Sequence, residues 1–283
     1  MYQVLVHRYN QNHITSGPDG GQFTSGGGAA AAPVWAPVGN MQALDTPVTD
    51  HKIGNDSLDS VLGDETTSRT AASLVADIIV HGTKEAFAYH DANSQIAEDY
   101  ISKESGDTSG EYRKYLKLYQ GSDYAQTNNY LRDGKTVDRD GEPRNMALVN
   151  TMTETLDKGL INAPVVPTGT QIYRAFRNEE IASSPAKLVG MTFRDPGFLS
   201  TTVDQNTART FYGFKQMDGN GSQAVIIRMK TPEGLRGQYM NASYGSNQPS
   251  EFEIILPRNT AFKITGATNI SSGGVVLDAE IVH

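Results

Sequence analysis

Two glutamates, Glu251 and Glu253, stand one residue apart in the segment SEFEIILP. In an extended strand their side chains fall on the same face, about 7 Å apart, while Phe252 and Ile254 point to the other face. Two carboxylates so close repel each other unless another group uses them. The pair therefore indicates either a site that works with two acids or an exposed edge strand whose acids are solvated.

Two other motifs carry polar groups within apolar segments. Arg174 lies in IYRAF, and burying its charge is costly unless an anion meets it. A guanidinium suits phosphate because its planar fork donates two parallel hydrogen bonds, although a surface salt bridge is the common alternative. The segment GFLSTTV offers three hydroxyls, from Ser200, Thr201 and Thr202, in a context where Thr is ordinary. Each motif is modest alone, and their order along the chain is the stronger signal.

The elements that would position these residues change in type along the chain. Apolar residues at helical spacing run from Thr66 with a break at Gly82, and two later runs cover 110–134, interrupted near Gly121, and 144–161. After Pro167, six short β-branched or alternating segments predict strands. They are TQIYRAF, GFLSTTV, QAVIIRMK, EFEIILP, AFKITGA and GVVLDAEIV. Helices followed by strands predict an α+β fold.

The composition divides the chain into an arm and a folded domain. Residues 1–64 begin with a Gly-, Ala- and Pro-rich stretch that has no period and cannot bury enough apolar surface to fold. We therefore predict a flexible arm over 1–64 and a catalytic domain over 65–283. Its helical part would cover 65–165 and its strand-rich part 166–283.

Several classes of protein are disfavoured by what the sequence contains. The net charge of -8 argues against a general nucleic-acid-binding role. Cysteine is absent, which excludes disulfides and thiolate chemistry. There is no P-loop, no G-x-S-x-G elbow and no HExxH pair, so we predict no metal site. No stretch approaches the roughly 20 apolar residues that span a bilayer.

The order Arg, Ser-Thr-Thr and Glu-x-Glu on successive strands resembles the R-S-E class of mono-ADP-ribosyltransferases. The resemblance is closest to the family that contains the enzymatic components of clostridial binary toxins and the vegetative insecticidal proteins, and it covers about 112–283. It implies an ADP-ribosyltransferase fold, in which N-terminal helices precede two packed antiparallel β-sheets that form an NAD cleft. Thr202 departs from the family's final Ser, and Ala175 stands where binary toxins often carry a second Arg.

The resemblance also implies roles for the residues of the three motifs. NAD would be the substrate, and Arg174 would bind its phosphates. Glu253 would accept a hydrogen bond from the ribose 2′-OH and stabilise an oxocarbenium-like sugar. Ser200 would position Glu253, Thr202 would support the strand, and Glu251 would take a proton from the acceptor. Further contacts are implied to NAD from Tyr119, Tyr124, Asn128 and Phe211, and to the acceptor from Tyr244.

The identity of the acceptor follows from Glu251 within the resemblance, because Glu at this position in the family goes with an arginine acceptor. A guanidinium is a poor nucleophile until a carboxylate orients it. Two alternatives remain open. An NAD glycohydrolase would use the same residues with water as acceptor. A non-catalytic virion or structural protein of the same fold would be expected to lack Arg174 or Glu253, and both are present.

The arm bears on where the protein would act. Its segment HITSGPDGGQFTSGGG resembles segments of phage head-associated proteins and of the toxins linked to them. We therefore expect a virion component or a secreted effector that acts in the host cytoplasm. Its partners would be NAD and an acceptor protein of the target or host cell, without nucleic acid or a membrane span.

Overall fold

The end of the predicted arm belongs to the folded protein. The computed structural model describes residues 55–62, 69–72, 79–104, 110–138, 140–215, 224–240 and 251–282. The arm up to residue 54 therefore lies outside the described residues. The last part of the predicted arm, from residue 55, forms strand β1 (Asn55–Asp56) and helix α1 (Leu58–Leu62). Asp59 pairs with Arg209 at 2.6 Å, so the folded part begins earlier in the chain than the sequence predicts.

Between residues 66 and 82, the described residues do not form the helix that their apolar spacing predicts. Instead, β2 (Arg69–Ala72) and β3 (Ile79–Gly82) form a two-stranded antiparallel sheet. Helix α2 (Lys84–Asp99) begins only after Thr83, whose hydroxyl accepts a hydrogen bond from a first-turn N–H at 3.1 Å. The prediction was wrong because apolar spacing over so few residues does not separate helix from strand, and β-branched residues open β3.

The second and third predicted helical runs are confirmed. A π-helical turn continues α2, and another separates α3 from α4 at the predicted interruption, where Gly121 leaves helical geometry. None of the helices in the described ranges is both long and apolar enough to cross a membrane. The elements are the π-turn Tyr100–Glu104, α3 (Glu111–Leu118), the π-turn Tyr119–Asp123, α4 (Tyr124–Asp133) and α5 (Met146–Leu160).

All six predicted strand segments are strands in the structure, which confirms the α+β class. Short helices and two further strands lie between them. The elements are β4 (Gln171–Arg177), α6 (Glu179–Ser183), a 3₁₀ turn (Pro185–Leu188), β5 (Thr192–Arg194), β6 (Leu199–Thr202), α7 (Gln205–Lys215), β7 (Ala224–Lys230), β8 (Gln238–Tyr239), β9 (Glu253–Leu256), β10 (Ala261–Ile270) and β11 (Val275–Val282).

The two packed antiparallel sheets that were expected are joined in this structure into one mixed sheet. Within the described ranges, nine strands form one mixed sheet in the order β1-β10-β11-β7-β4-β6-β9-β8, with β5 pairing β10. The pairs β1–β10 and β7–β11 are parallel. In the described part of the chain, the two halves of this sheet are joined at β4–β6 by the single residue pair Tyr173–Thr202. Strand periodicity does not encode such pairings, because neighbours in the sheet are distant in sequence.

This arrangement brings the three motifs to neighbouring strands. Arg174 lies on β4, Ser200 on β6 and Glu253 on β9, and these strands are adjacent in the sheet. Thr202 pairs with Glu253 in the β6–β9 ladder. Helices α3 to α5 pack over this region, where Phe198 joins their aromatic and aliphatic side chains in one buried cluster.

Candidate active site

One cleft beside β4, β6 and β9 gathers the predicted catalytic and NAD-binding side chains. Its volume is about 600 Å³, including the part open to solvent. The predicted residues that line it are Arg174, Ser200, Glu251, Glu253, Tyr119, Tyr124, Asn128 and Phe211. The predicted acceptor residue Tyr244 lies outside the described residues. All the other predicted site residues therefore share one cavity.

Three lining residues were not singled out from the sequence: Gln120, Tyr173 and Thr207. Thr207 is fixed by Asp204, whose carboxylate accepts hydrogen bonds from its N–H at 2.9 Å and its hydroxyl at 2.8 Å. An Asp three residues before this position is a helix N-cap signal, and it could have placed the start of α7 beside the Ser-Thr-Thr strand. Among the described residues, no three His, Cys, Asp or Glu side chains group so as to hold a metal ion.

A chain of hydrogen bonds runs from the helical part to the carboxylate of Glu253. The side-chain oxygen of Asn128 accepts from the Phe198 N–H at 2.9 Å, and its amide nitrogen donates to the Tyr119 hydroxyl at 2.8 Å. That hydroxyl lies 3.0 Å from Ser200 Oγ, and the Ser200 side chain bonds to Glu253. Burial, and then the charge of Glu253, raise the pKa of Tyr119 to about 12. The tyrosine therefore stays neutral and can hold Ser200 in place.

Arg174 places a buried cation on the β4 side of the cleft. Its Nη1 donates to the backbone oxygen of Ser200 at 2.7 Å, across the junction between β4 and β6. Burial, and then the charge of Arg132, lower the pKa of Arg174 to about 10. The guanidinium is still protonated at neutral pH, so the cleft offers a fixed positive group to an anion.

Glu251 and Glu253 form a pair of acids that do not ionise readily. Burial raises the pKa of Glu253 to about 7, although the hydrogen bond from Ser200 and the charge of Arg174 oppose this shift. Burial, and then the charge of Glu253, raise the pKa of Glu251 well above its usual range. Two neighbouring carboxylates with different surroundings can take different protonation states, as acid–base catalysis requires.

The backbone between the two acids is not the regular strand that alternation predicts. Strand β9 begins only at Glu253, and Phe252 has a left-handed φ of 49°. The carbonyl of Glu251 accepts a hydrogen bond from Thr202 Oγ1 at 2.6 Å. Both carboxylates line the cleft, but a bend at Phe252 brings them there, not the two-residue period of a strand.

The comparisons with known proteins agree with this geometry. Residues 84–281 match the sequence profile of the ADP-ribosyltransferase exoenzyme family. No curated protein is similar enough in sequence to match the chain. Nothing in the comparisons supports the resemblance of the arm to phage head-associated proteins.

Solved structures of bacterial ADP-ribosyltransferases share the fold. Plx2a, a toxin from Paenibacillus larvae, is 19% identical with a TM-score of 0.51, covering 71% of this chain and 96% of its own. The Vis toxin from Vibrio splendidus is 18% identical with a TM-score of 0.53, covering 72% and 88%. The Clostridium limosum C3 exoenzyme is 16% identical with a TM-score of 0.50, covering 72% and 98%. With the Arg, Ser and Glu motifs in one cleft and the profile matched over most of the chain, the protein is a member of the ADP-ribosyltransferase exoenzyme family, of the R-S-E class whose substrate is NAD.

Proposed function

We propose that the protein transfers ADP-ribose from NAD to an arginine side chain of an acceptor protein and releases nicotinamide. The observation that carries this proposal is the presence of a cationic fork and two acids with raised pKa values in a single cleft. A non-catalytic protein of this fold would have no need to keep two poorly solvated acids side by side.

In the proposed first step, the bond between ribose C1′ and the nicotinamide nitrogen breaks. Its electron pair goes to the nitrogen, so the cationic ring leaves neutral and needs no general acid, while the sugar becomes oxocarbenium-like. The ionised Glu253 accepts a hydrogen bond from the ribose 2′-OH and stabilises the positive charge of the sugar. Arg174 binds the pyrophosphate. Ser200 and Tyr119 hold the carboxylate in place through the hydrogen bonds described above. Tyr124, Asn128 and Phe211 complete the walls of the NAD site.

In the proposed second step, a guanidinium nitrogen of the acceptor attacks C1′ and loses a proton to Glu251. A guanidinium is almost fully protonated at neutral pH, so a carboxylate that orients it and receives the proton promotes attack. The raised pKa of Glu251 makes its ionised form a stronger base for this transfer. The structure of Vis in complex with agmatine, 17% identical with a TM-score of 0.52, holds a guanidino compound and so supports a guanidino acceptor here.

We further propose that the protein acts as an effector on proteins in the cytoplasm of a host cell. The relatives named above are toxins and an exoenzyme, which supports action outside the producing cell. Delivery as a secreted protein or within a virion would both fit, and Tyr244 is the aromatic residue that we expect to contact the acceptor.

Substitution of Glu251 tests the proposed function. With adenylate-labelled NAD and agmatine, we expect the wild-type protein to label agmatine and release nicotinamide. Glu251→Gln should lower labelling by about 10²-fold or more, because the acceptor loses its base, while nicotinamide release into water persists. Glu154→Gln, on the exposed face of α5, is the matched control. Nicotinamide release without labelled agmatine would instead identify a glycohydrolase, and no release would identify a non-catalytic protein.

The pH dependence of NAD cleavage provides a second test. Glu253 must be ionised to accept the ribose hydroxyl, and burial raises its pKa to about 7. The rate of nicotinamide release at low NAD concentration should therefore rise with pH and level off above neutrality. A glutamate that kept the ordinary pKa of 4.5 would give a flat profile around neutral pH. A flat profile would contradict the role assigned to Glu253.

A further inference from the structure

Phe252, between the two acids, has a backbone conformation that its residue type disfavours. Its φ is 49°, and among the described residues the only other non-glycine with a positive φ is Asn259. Asparagine tolerates this region, whereas a bulky side chain is strained there. The ring of Phe252 is nevertheless fully buried. Something in the surrounding structure must hold this residue in place.

The ring of Phe252 fits a socket whose floor is Gly82. A Cβ on Gly82 would lie 2.5 Å from Cε2 and 2.6 Å from Cζ of the ring, so no larger residue fits beneath it. Phe87 packs edge-on against the ring at 5.0 Å between centroids, and His90 does so at 6.4 Å. The socket thus depends on the close approach that glycine alone permits.

Hydrogen bonds connect both the socket and the segment that carries the two acids to the same end of β6. The N–H of Thr83, next to Gly82, donates to the buried carboxylate of Asp204 at 2.9 Å. The N–H of Asp204 donates to Thr202 Oγ1 at 3.0 Å, and this hydroxyl donates to the Glu251 carbonyl at 2.6 Å. The bend at Phe252 is therefore linked to Gly82 in two ways, by the packing of its ring and by this series of hydrogen bonds through Thr202.

The two acids depend differently on this bend. Glu253 lies in the β6–β9 ladder opposite Thr202, its carbonyl accepts from the Met240 N–H at 2.8 Å, and Ser200 bonds to its side chain. Glu251 precedes the strand, so the φ of Phe252 sets the direction of its side chain relative to Glu253. Displacing the ring should therefore move Glu251 and leave Glu253 in its ladder.

We propose that Phe252 and Gly82 are positioning residues that aim Glu251 at the acceptor and so set the ratio of ADP-ribose transfer to NAD hydrolysis. This inference rests on the proposed function, in which Glu253 serves NAD cleavage and Glu251 serves the acceptor. The ring and its glycine socket are not among the residues that line the cleft, so they act through Glu251.

The test measures labelling of agmatine and nicotinamide release into water for each variant. Gly82→Ala should lower labelling by about 10²-fold, because a misplacement of about 1 Å has effects of that size, while nicotinamide release stays at the wild-type rate. Leucine lacks the Cε2 and Cζ atoms that the new methyl group would meet. The double variant Gly82→Ala/Phe252→Leu should therefore recover labelling relative to Gly82→Ala.

Gly213→Ala is the matched control, because a Cβ on Gly213 in α7 meets nothing within 4 Å. Equal loss of both activities in Gly82→Ala, or no recovery in the double variant, would overturn the inference. If Gly82→Ala does not fold, Phe252→Leu alone must lower labelling more than hydrolysis, and an equal loss overturns the inference. Failure of the wild-type protein to label agmatine would instead refute the proposed function itself.

Discussion

Replacing Glu253 by glutamine is expected to lower both nicotinamide release and ADP-ribose transfer by about 10²–10³-fold. The amide keeps the shape of the side chain but cannot offer a negative charge to the oxocarbenium-like sugar. Steady-state rates with labelled NAD measure this loss. Both activities fall together because the acceptor reacts only after the bond to nicotinamide weakens.

Measuring the stability of Glu253→Gln separates a loss of catalysis from a loss of folding. The pKa of Glu253 in the folded protein is about 7, above its ordinary value of 4.5. A raised carboxyl pKa means that the folded state loses stability as pH rises from 4.5 through 7, because ionisation is easier in the unfolded chain. Glu253→Gln removes this cost, so its melting temperature at pH 8 should equal or exceed that of the wild type. Wild-type rates in a stable variant would refute the catalytic role.

The second large effect is expected from the buried ion pair between Arg132 and Asp195. Arg132 Nε donates to Asp195 Oδ1 at 2.9 Å and Nη2 donates to Oδ2 at 3.0 Å, with side-chain exposures of 9% and 0%. Asp195→Ala leaves a buried guanidinium without this partner, which costs about 3–5 kcal/mol. Urea unfolding measures the change. Loss of the Asp195 carboxylate also leaves the charge of Arg132 uncompensated near Arg174, which should disturb the cleft.

An exposed pair of the same chemistry is the control. Arg258 donates to Asp157 at 2.8 Å, but their side chains are 39% and 34% exposed. Water already solvates these groups, so Asp157→Ala should change the free energy of unfolding by only about 0–1 kcal/mol. Equal losses in Asp157→Ala and Asp195→Ala would contradict the explanation based on burial.

The strands and the cleft could be predicted from the sequence because their signals are local. Alternation and β-branching predicted that the segments around Arg174, Ser200 and Glu253 are strands. The order of these motifs along the chain gave the family resemblance, which assigned the three residues to one site. Tyr119 and Asn128 were placed in the cleft by the same resemblance, which covers the segment that contains both. Such features depend on neighbouring residues, which a single sequence displays.

The features that were missed depend on contacts between distant segments. The left-handed bend at Phe252 requires a glycine 170 positions earlier in the chain, and nothing near Phe252 reveals it. The pairing of β2 with β3 was missed for a different reason, because apolar spacing over so few residues does not separate helix from strand. The partnership of Arg132 with Asp195 is also invisible locally, because it joins α4 to the turn before β6.

The junction of the two half-sheets explains why a polar cavity can exist in the middle of a nine-stranded sheet. Within the described residues, β4 and β6 share a single residue pair, so their main chains splay apart beyond it. Backbone N–H and C=O groups that would pair in a complete ladder must find other hydrogen-bond partners there. The Ser200 carbonyl bonds to a guanidinium instead of to a facing strand. The cleft lies beside this junction, where residues of both β4 and β6 line it.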